Sequence, residues 1–117
     1  MAEVHDCFTP TELVLMEDLG FSHRGQGWKD VMSGAFDLDG ELAVNPDGGL
    51  KSFGHPIGAS GLRMLFEAWL QLRLEAPAER AVASIKAGKK LAMTHNLGGA
   101  PGNCVSFVSI VGSEPSA

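Results

Sequence analysis

Three short segments of this 117-residue chain carry side chains able to do chemistry. His5-Asp6-Cys7-Phe8 sets an imidazole, a carboxyl and a thiol in succession. His55 stands in a run framed by Gly48, Gly49, Gly54, Pro56, Gly58 and Gly61. Glycine serves where the backbone takes a positive φ or comes close to another segment, at an entropic cost that needs a reason. A loop so constrained presents something, and His55 is its chemically versatile side chain; the alternative is a glycine-rich turn around a packed histidine. His95-Asn96-Leu97-Gly98 is the third segment, again glycine-rich. Imidazoles move protons near neutral pH, thiolates act as bases or nucleophiles, and aimed N–H donors hold oxyanions. The three segments together suggest one composite site. No Cys-x-x-Cys or His-x-x-x-His spacing points to a metal, although a His/Cys/His set gathered by folding has ligands suited to zinc. No Gly-Lys-Ser/Thr follows Gly54-His55-Pro56, so this is not a nucleotide phosphate loop.

The elements that must position these groups can be read around them. Thr9-Pro10-Thr11-Glu12 reads as a helix start, with Thr9 as N-cap, Pro10 at the first helical position and Glu12 closing a capping box. Leu13, Leu15, Met16 and Leu19 give that helix an apolar side, and Gly20 stops it. Cys7 then lies just before a helix N-terminus, where the positive end of the dipole faces an anion. Gly25 to Met32 suits a short helix around Trp28 and Val31, and Asp37 to Asp47 is turn-rich. From Ala59 to Leu74, Leu62, Leu65, Phe66, Trp69 and Leu72 recur at helical spacing, which predicts a helix buried on a wide face with Phe66 and Trp69 in the core. Ala78 to Ala87 is a weaker helical or irregular segment. Lys90 to Thr94 and Val105 to Val111 read as an antiparallel pair of strands, with His95 to Gly102 as the turn between them. His23 reads as a solvated surface group, and Lys86, Lys89 and Lys90 as a solvated charge cluster.

Composition sets the outer limits. The chain reads as one domain over residues 1–112, with a frayed tail over 113–117. A net charge of −5 argues against nucleic acid, and no apolar run is long enough to span a bilayer. Cys7 and Cys104 make no disulfide framework, and without a secretory signal pattern the expected setting is the cytoplasm.

These loops resemble the thiolase superfamily, specifically the C-terminal half of the sterol-carrier-protein type of thiolase. His5-Asp6-Cys7-Phe8 matches that subfamily's HDCF loop. Asn45-Pro46-Asp47-Gly48-Gly49 and Gly54-His55-Pro56-Ile57-Gly58-Ala59-Ser60-Gly61 match its NPxGG and GHPxGAxG signatures, and His95-Asn96-Leu97-Gly98 matches its HNLG loop. The likeness runs from about His5 to Val111. It implies an α/β chain forming most of one half of an α/β/α/β/α sandwich, with the strand that opens that half missing. It further implies thiolysis or Claisen condensation of acyl-CoA thioesters, with the CoA thioester as substrate and no separate cofactor or metal. His55 would stabilise the thioester oxyanion and help activate a nucleophilic cysteine, His5 would serve the other oxyanion hole, and Cys7 would be the acid/base thiol. His95, Asn96, Gly98 and Gly54 would line the substrate site.

In that family the nucleophilic cysteine sits on the N-terminal half. Cys104, at the start of the last strand, does not replace it and reads as a buried small hydrophobe. A missing strand leaves an exposed sheet edge and apolar helix faces, which call for a thiolase N-terminal half or a second copy as partner. The leading expectation is therefore the C-terminal part of an acyl-CoA thiolase, inactive alone. The alternatives are a non-catalytic acyl-CoA- or lipid-binding or assembly subunit, and part of a thiolase-like retro-aldolase of steroid side-chain degradation.

Overall fold

The computed structural model describes residues 1–100 and 102–114. Strand β1 (Ala2–Glu3) is followed by helices α1 (Thr9–Asp18), α2 (Gly27–Met32), α3 (Gly49–Phe53) and α4 (Ser60–Leu72). A 3-10 turn (Ala78–Arg80), helix α5 (Ala83–Lys86) and the strands β2 (Leu91–Ala100) and β3 (Asn103–Gly112) complete the order. The sheet runs β1-β2-β3, with β1 parallel to β2 and β2 antiparallel to β3.

Alternation along the strands decides which element covers which face, because successive side chains point to opposite sides. Ala2, Val4 and Met93 pack with Leu15 and Met16 of α1 on one face. Met1, Ala92 and Val111 pack with Ala68 of α4 and with Val82 and Ile85 on the other. The small β1 strand is thus sandwiched between two layers. The opening strand expected to be missing is present in short form. Two residues cannot display an alternating pattern, and only the pairing of Ala2 with Met93 and Glu3 with Thr94 reveals it.

Several local expectations change. Helix α1 begins at Thr9, so Phe8, in extended conformation, takes the N-cap position and no side-chain cap forms. The first part of the glycine run is helical rather than irregular: Gly48, with φ of 89°, turns the chain into α3, and Gly54 ends it. Strand β2 runs on through His95-Asn96-Leu97-Gly98, which places these residues in the sheet and not in the turn. Cys104 is exposed rather than buried, because β3 is an edge strand with little packed over it. His23 is exposed as expected. Ser113 donates its N–H to the Lys90 carbonyl and Lys90 pairs with Glu114, while residues 115–117 of the expected frayed tail lie outside the described residues.

The largest reversal concerns α4. Its sheet-facing side buries Met64, Glu67, Ala68 and Gln71, and its apolar stripe faces outward. Leu62, Phe66 and Trp69 are 68%, 57% and 48% exposed, with Phe66 and Trp69 stacked at 5.8 Å. The buried polar groups are satisfied locally. Gln71 donates to Glu67 and to the Arg80 carbonyl at 2.8 Å each, Arg80 pairs with Glu67 at 3.0 Å, and Val82 N–H donates to Gln71 at 3.0 Å. The satisfied network lets the helix bury its polar side and leaves its apolar side uncovered. Among the described residues, no helix is long and apolar enough to cross a membrane.

Candidate functional site

From β1 the chain continues extended, so His5 points to the same face as Met1 and Glu3, toward α4. His55 reaches that place from the loop between α3 and α4. The two rings meet edge to face, with centroids 4.9 Å apart and planes at 77°. His5 is buried and His55 exposed, so one ring is walled in and the other faces solvent. Burial, and then the neighbouring His55, hold His5 below the usual imidazole range, against the opposing pull of Asp6. Two adjacent imidazoles do not readily carry charge together, which disfavours the charged form of His5.

Ser60, the first residue of α4, anchors His55. Its Oγ lies 2.7 Å from His55 Nδ1, and its own proton has the Pro56 carbonyl 3.2 Å away as acceptor. With that proton on Pro56, the hydroxyl receives Nδ1–H and leaves Nε2 as the open nitrogen. Both rings line a cleft of about 610 Å³, together with Cys7, Asn96, Gly98 and the apolar Ile57 and Phe107. Cys7 is half-buried, its Sγ 3.9 Å from the Thr11 hydroxyl in the first turn of α1. A cleft with a thiol, two imidazoles and apolar walls suits proton abstraction and oxyanion binding on a substrate with an apolar part.

The structure thus brings His5, Cys7, His55, Asn96 and Gly98 to one cleft. Asn96 packs its amide against Gly61 at the start of α4. Gly54 is exposed, with φ of 80°, and shapes the backbone beside His55 rather than lining the cleft. His95 goes elsewhere. Adjacent to Asn96 on β2, it projects to the α1 face, is buried and shares Nε2 with Ser106 Oγ at 2.9 Å. Burial, then His5, hold His95 below its ordinary value. Its place in a strand, which the turn reading missed, is what separates it from Asn96. Among the described residues, no three His, Cys, Asp or Glu side chains gather to hold a metal ion.

The supporting residues were less visible from sequence. Asp6, between His5 and Cys7, points away from the cleft and accepts the Leu50 N–H at 2.9 Å. Gly49, with φ of 68°, lies so close that a Cβ there would run into the Asp6 carboxylate. Asn45 Oδ1 accepts the Val4 N–H at 2.8 Å, and Asp47 Oδ1 accepts the Gly49 N–H at 2.8 Å. Glu3, wholly buried, meets Arg63 at 3.0 Å and is pushed up to about 8, mainly by burial and against the pull of Arg63. For Asp6, Asn45, Asp47 and Gly49 the signal was membership of the quoted motifs, whereas Glu3 and Arg63 lie outside them and no spacing rule names the partner of a buried carboxylate. A second cleft, about 450 Å³ and lined by Leu65, Trp69, Leu72 and Val111, carries no comparable reactive groups and belongs to the open side of α4.

Comparison with known proteins finds a sequence match over nearly the whole chain. The thiolase C-terminal domain-like family matches residues 1–111. An acetyl-CoA acetyltransferase of Methanothermobacter thermautotrophicus is 44% identical over 108 residues, covering 92% of this chain and 27% of the relative. Human sterol carrier protein 2 is 46% identical over 96 residues, 82% of this chain and 17% of the relative. Benzoylsuccinyl-CoA thiolase subunit BbsB of Thauera aromatica is 37% identical over 99 residues, 85% of this chain and 25% of the relative. The chain therefore spans about a quarter or less of the length of these relatives.

Proposed function

The chain belongs to the thiolase C-terminal domain-like family, and from that premise we propose that it supplies one half of an acyl-CoA thiolase site. The observation that carries the reading is the His5–His55 contact at 4.9 Å, at the wall of a cleft that also holds the Cys7 thiol. In the condensing direction the Cys7 thiolate takes the α-proton of one acyl-CoA, and His5 holds the oxygen of the enolate. The carbanion attacks the carbonyl carbon of an acyl group held as a thioester on a cysteine of a partner half. A C–C bond forms, the C–S bond breaks, and the cysteine leaves as a thiolate. His55 Nε2, open to the cleft, accepts the proton when that cysteine is acylated and then donates to the oxyanion. Thiolysis is the reverse.

The outward stripe of α4 supports a partner half. Leu62, Phe66 and Trp69 are about half exposed, so covering each contributes roughly 1–2 kcal/mol toward holding a second layer. Neither cysteine of this chain is the nucleophile in this reading. Cys7 serves as acid/base, and Cys104 lies on the face of β3 away from His5 and His55.

The test is an assay of the purified chain with a 3-ketoacyl-CoA and CoA. The chain alone gives no turnover but binds acyl-CoA, and His55→Ala weakens that binding. Turnover abolished by Cys104→Ala overturns the placement of the nucleophile. The exposed face of α4 also fits a second reading, a non-catalytic binding or assembly subunit. Acyl-CoA binding that survives the loss of both His55 and Cys7 favours that reading instead.

A further inference from the structure

Helix α4 grips both histidines from one face, one turn apart. Ser60 holds His55, and Arg63, at i+3 on the same side, reaches the segment that carries His5. The Arg63 guanidinium pairs with Glu3, two residues before His5, at 3.0 Å. It also pairs with Asp47, whose other oxygen accepts the Gly49 N–H at 2.8 Å. It lies 5.4 Å from the centre of the Phe53 ring, two residues before His55. Three separate segments therefore converge on one side chain: β1, the turn into α3, and the end of α3.

The charges make this junction a device for specifying geometry more than for stability. Glu3 and Asp47 have side chains 0% and 1% exposed, and Arg63 13%. Removing charges from water offsets most of the gain from pairing them, so a buried ion pair adds little net stability. What such a group provides is a requirement that its partners be in one place, since a buried carboxyl, ionised or not, leaves its hydrogen-bond donor only at a desolvation cost. Glu3 and Asp47 both meet Nη1 of Arg63. β1 is only two residues long, pairing with β2 through two positions and bridging Val44 through Ala2, so its backbone contacts hold Ala2 to Val4 and do not reach His5 itself.

We propose that Arg63 is the positioning residue that holds His5 and His55 at contact distance, by tying β1, the Asp47 turn and Phe53 to α4. The inference rests on the site reading above, where the paired imidazoles face the thioester. Its test reads ring geometry instead of thioester chemistry, so the two can fail separately.

In the full chain, NMR spectra of the histidine rings report a cross-peak between His5 and His55, and a titration midpoint for each. Arg63→Met is expected to abolish that cross-peak and raise the His5 midpoint toward its ordinary value. Arg63→Lys, which returns one cation, is expected to restore both in part. A folded Arg63→Met chain that keeps the cross-peak and the midpoint overturns the proposal and leaves Arg63 a stabilising residue only. Because Arg63→Met leaves the buried Glu3 carboxyl without its hydrogen-bond donor, the same change is also made on a Glu3→Gln background. Glu3→Gln alone should keep the cross-peak, since an amide still accepts from Arg63, and Glu3→Gln/Arg63→Met should lose it. Retention in the double variant overturns the proposal equally.

Discussion

Replacing Glu3 with glutamine keeps the shape of a buried side chain and removes its ability to ionise. In the folded chain burial raises the Glu3 carboxyl to about 8 from an ordinary 4.5, with Arg63 opposing the shift. Below pH 4.5 the carboxyl is protonated folded and unfolded alike, so it sets no pH dependence. Between 4.5 and about 8 the unfolded chain gives up the proton and the folded chain keeps it. Stability is therefore lost as pH rises, by about 1.4 kcal/mol per pH unit. The full window amounts to about 5 kcal/mol, a large part of the stability of a small domain. Urea unfolding of wild type and Glu3→Gln, followed by circular dichroism at pH 5, 6.5 and 8, measures the difference directly. The variant should gain on wild type steadily from pH 5 to 8. A difference that stays constant across that range, or shrinks as pH rises, refutes the view that burial outweighs Arg63 at this carboxyl.

His95 should show the opposite slope. Its imidazole is held down by burial and then by His5, so the unfolded chain takes up a proton as pH falls through about 6.5 before the folded chain does. Stability at this group is present above pH 6.5 and is lost below it, and His95→Gln should reduce the fall in urea midpoint between pH 7 and 5. Gly49→Ala meets both a φ of 68° and the Asp6 carboxylate, which should cost roughly 1–3 kcal/mol in thermal unfolding. Gly58→Ala, with nothing within 4 Å of its Cβ position, serves as the near-neutral control.

Much of the site was legible because its chemistry is written in short contiguous runs. His5-Asp6-Cys7 and the glycine frame of His55 announce themselves by residue type, and the start of α4 follows from the same run. The helical period of α4 was legible too, but not its orientation. Leu62, Phe66 and Trp69 mark an apolar face, and periodicity cannot say whether that face meets this chain's own sheet or another layer. The burial of Glu67 and Gln71 depends on Arg80 and Val82, which lie 9 to 13 positions further along the chain from the groups they meet and show no signal near the helix. His95-Asn96-Leu97-Gly98 looked like a turn because glycines follow it, whereas ten register pairs between β2 and β3 carry the strand through it. That shift moves His95 and Asn96 to opposite faces of the sheet.

By itself, the sequence determined which groups are available for chemistry, that glycines shape the backbone around His55, and which family the chain resembles. Those properties are local, set by residue type and by neighbours a few positions away. Only the tertiary structure decided that His5 and His55 touch, that Ser60 anchors His55 while Asp6 and Asn45 bind the backbone of neighbouring segments, and that Arg63 joins Glu3 to Asp47. Each of those contacts except Ser60 with His55 joins residues 41 or more positions apart, or closes on a buried charge. A buried charge has no preference readable in its own neighbourhood; its cost is settled by the partner that folding brings to it.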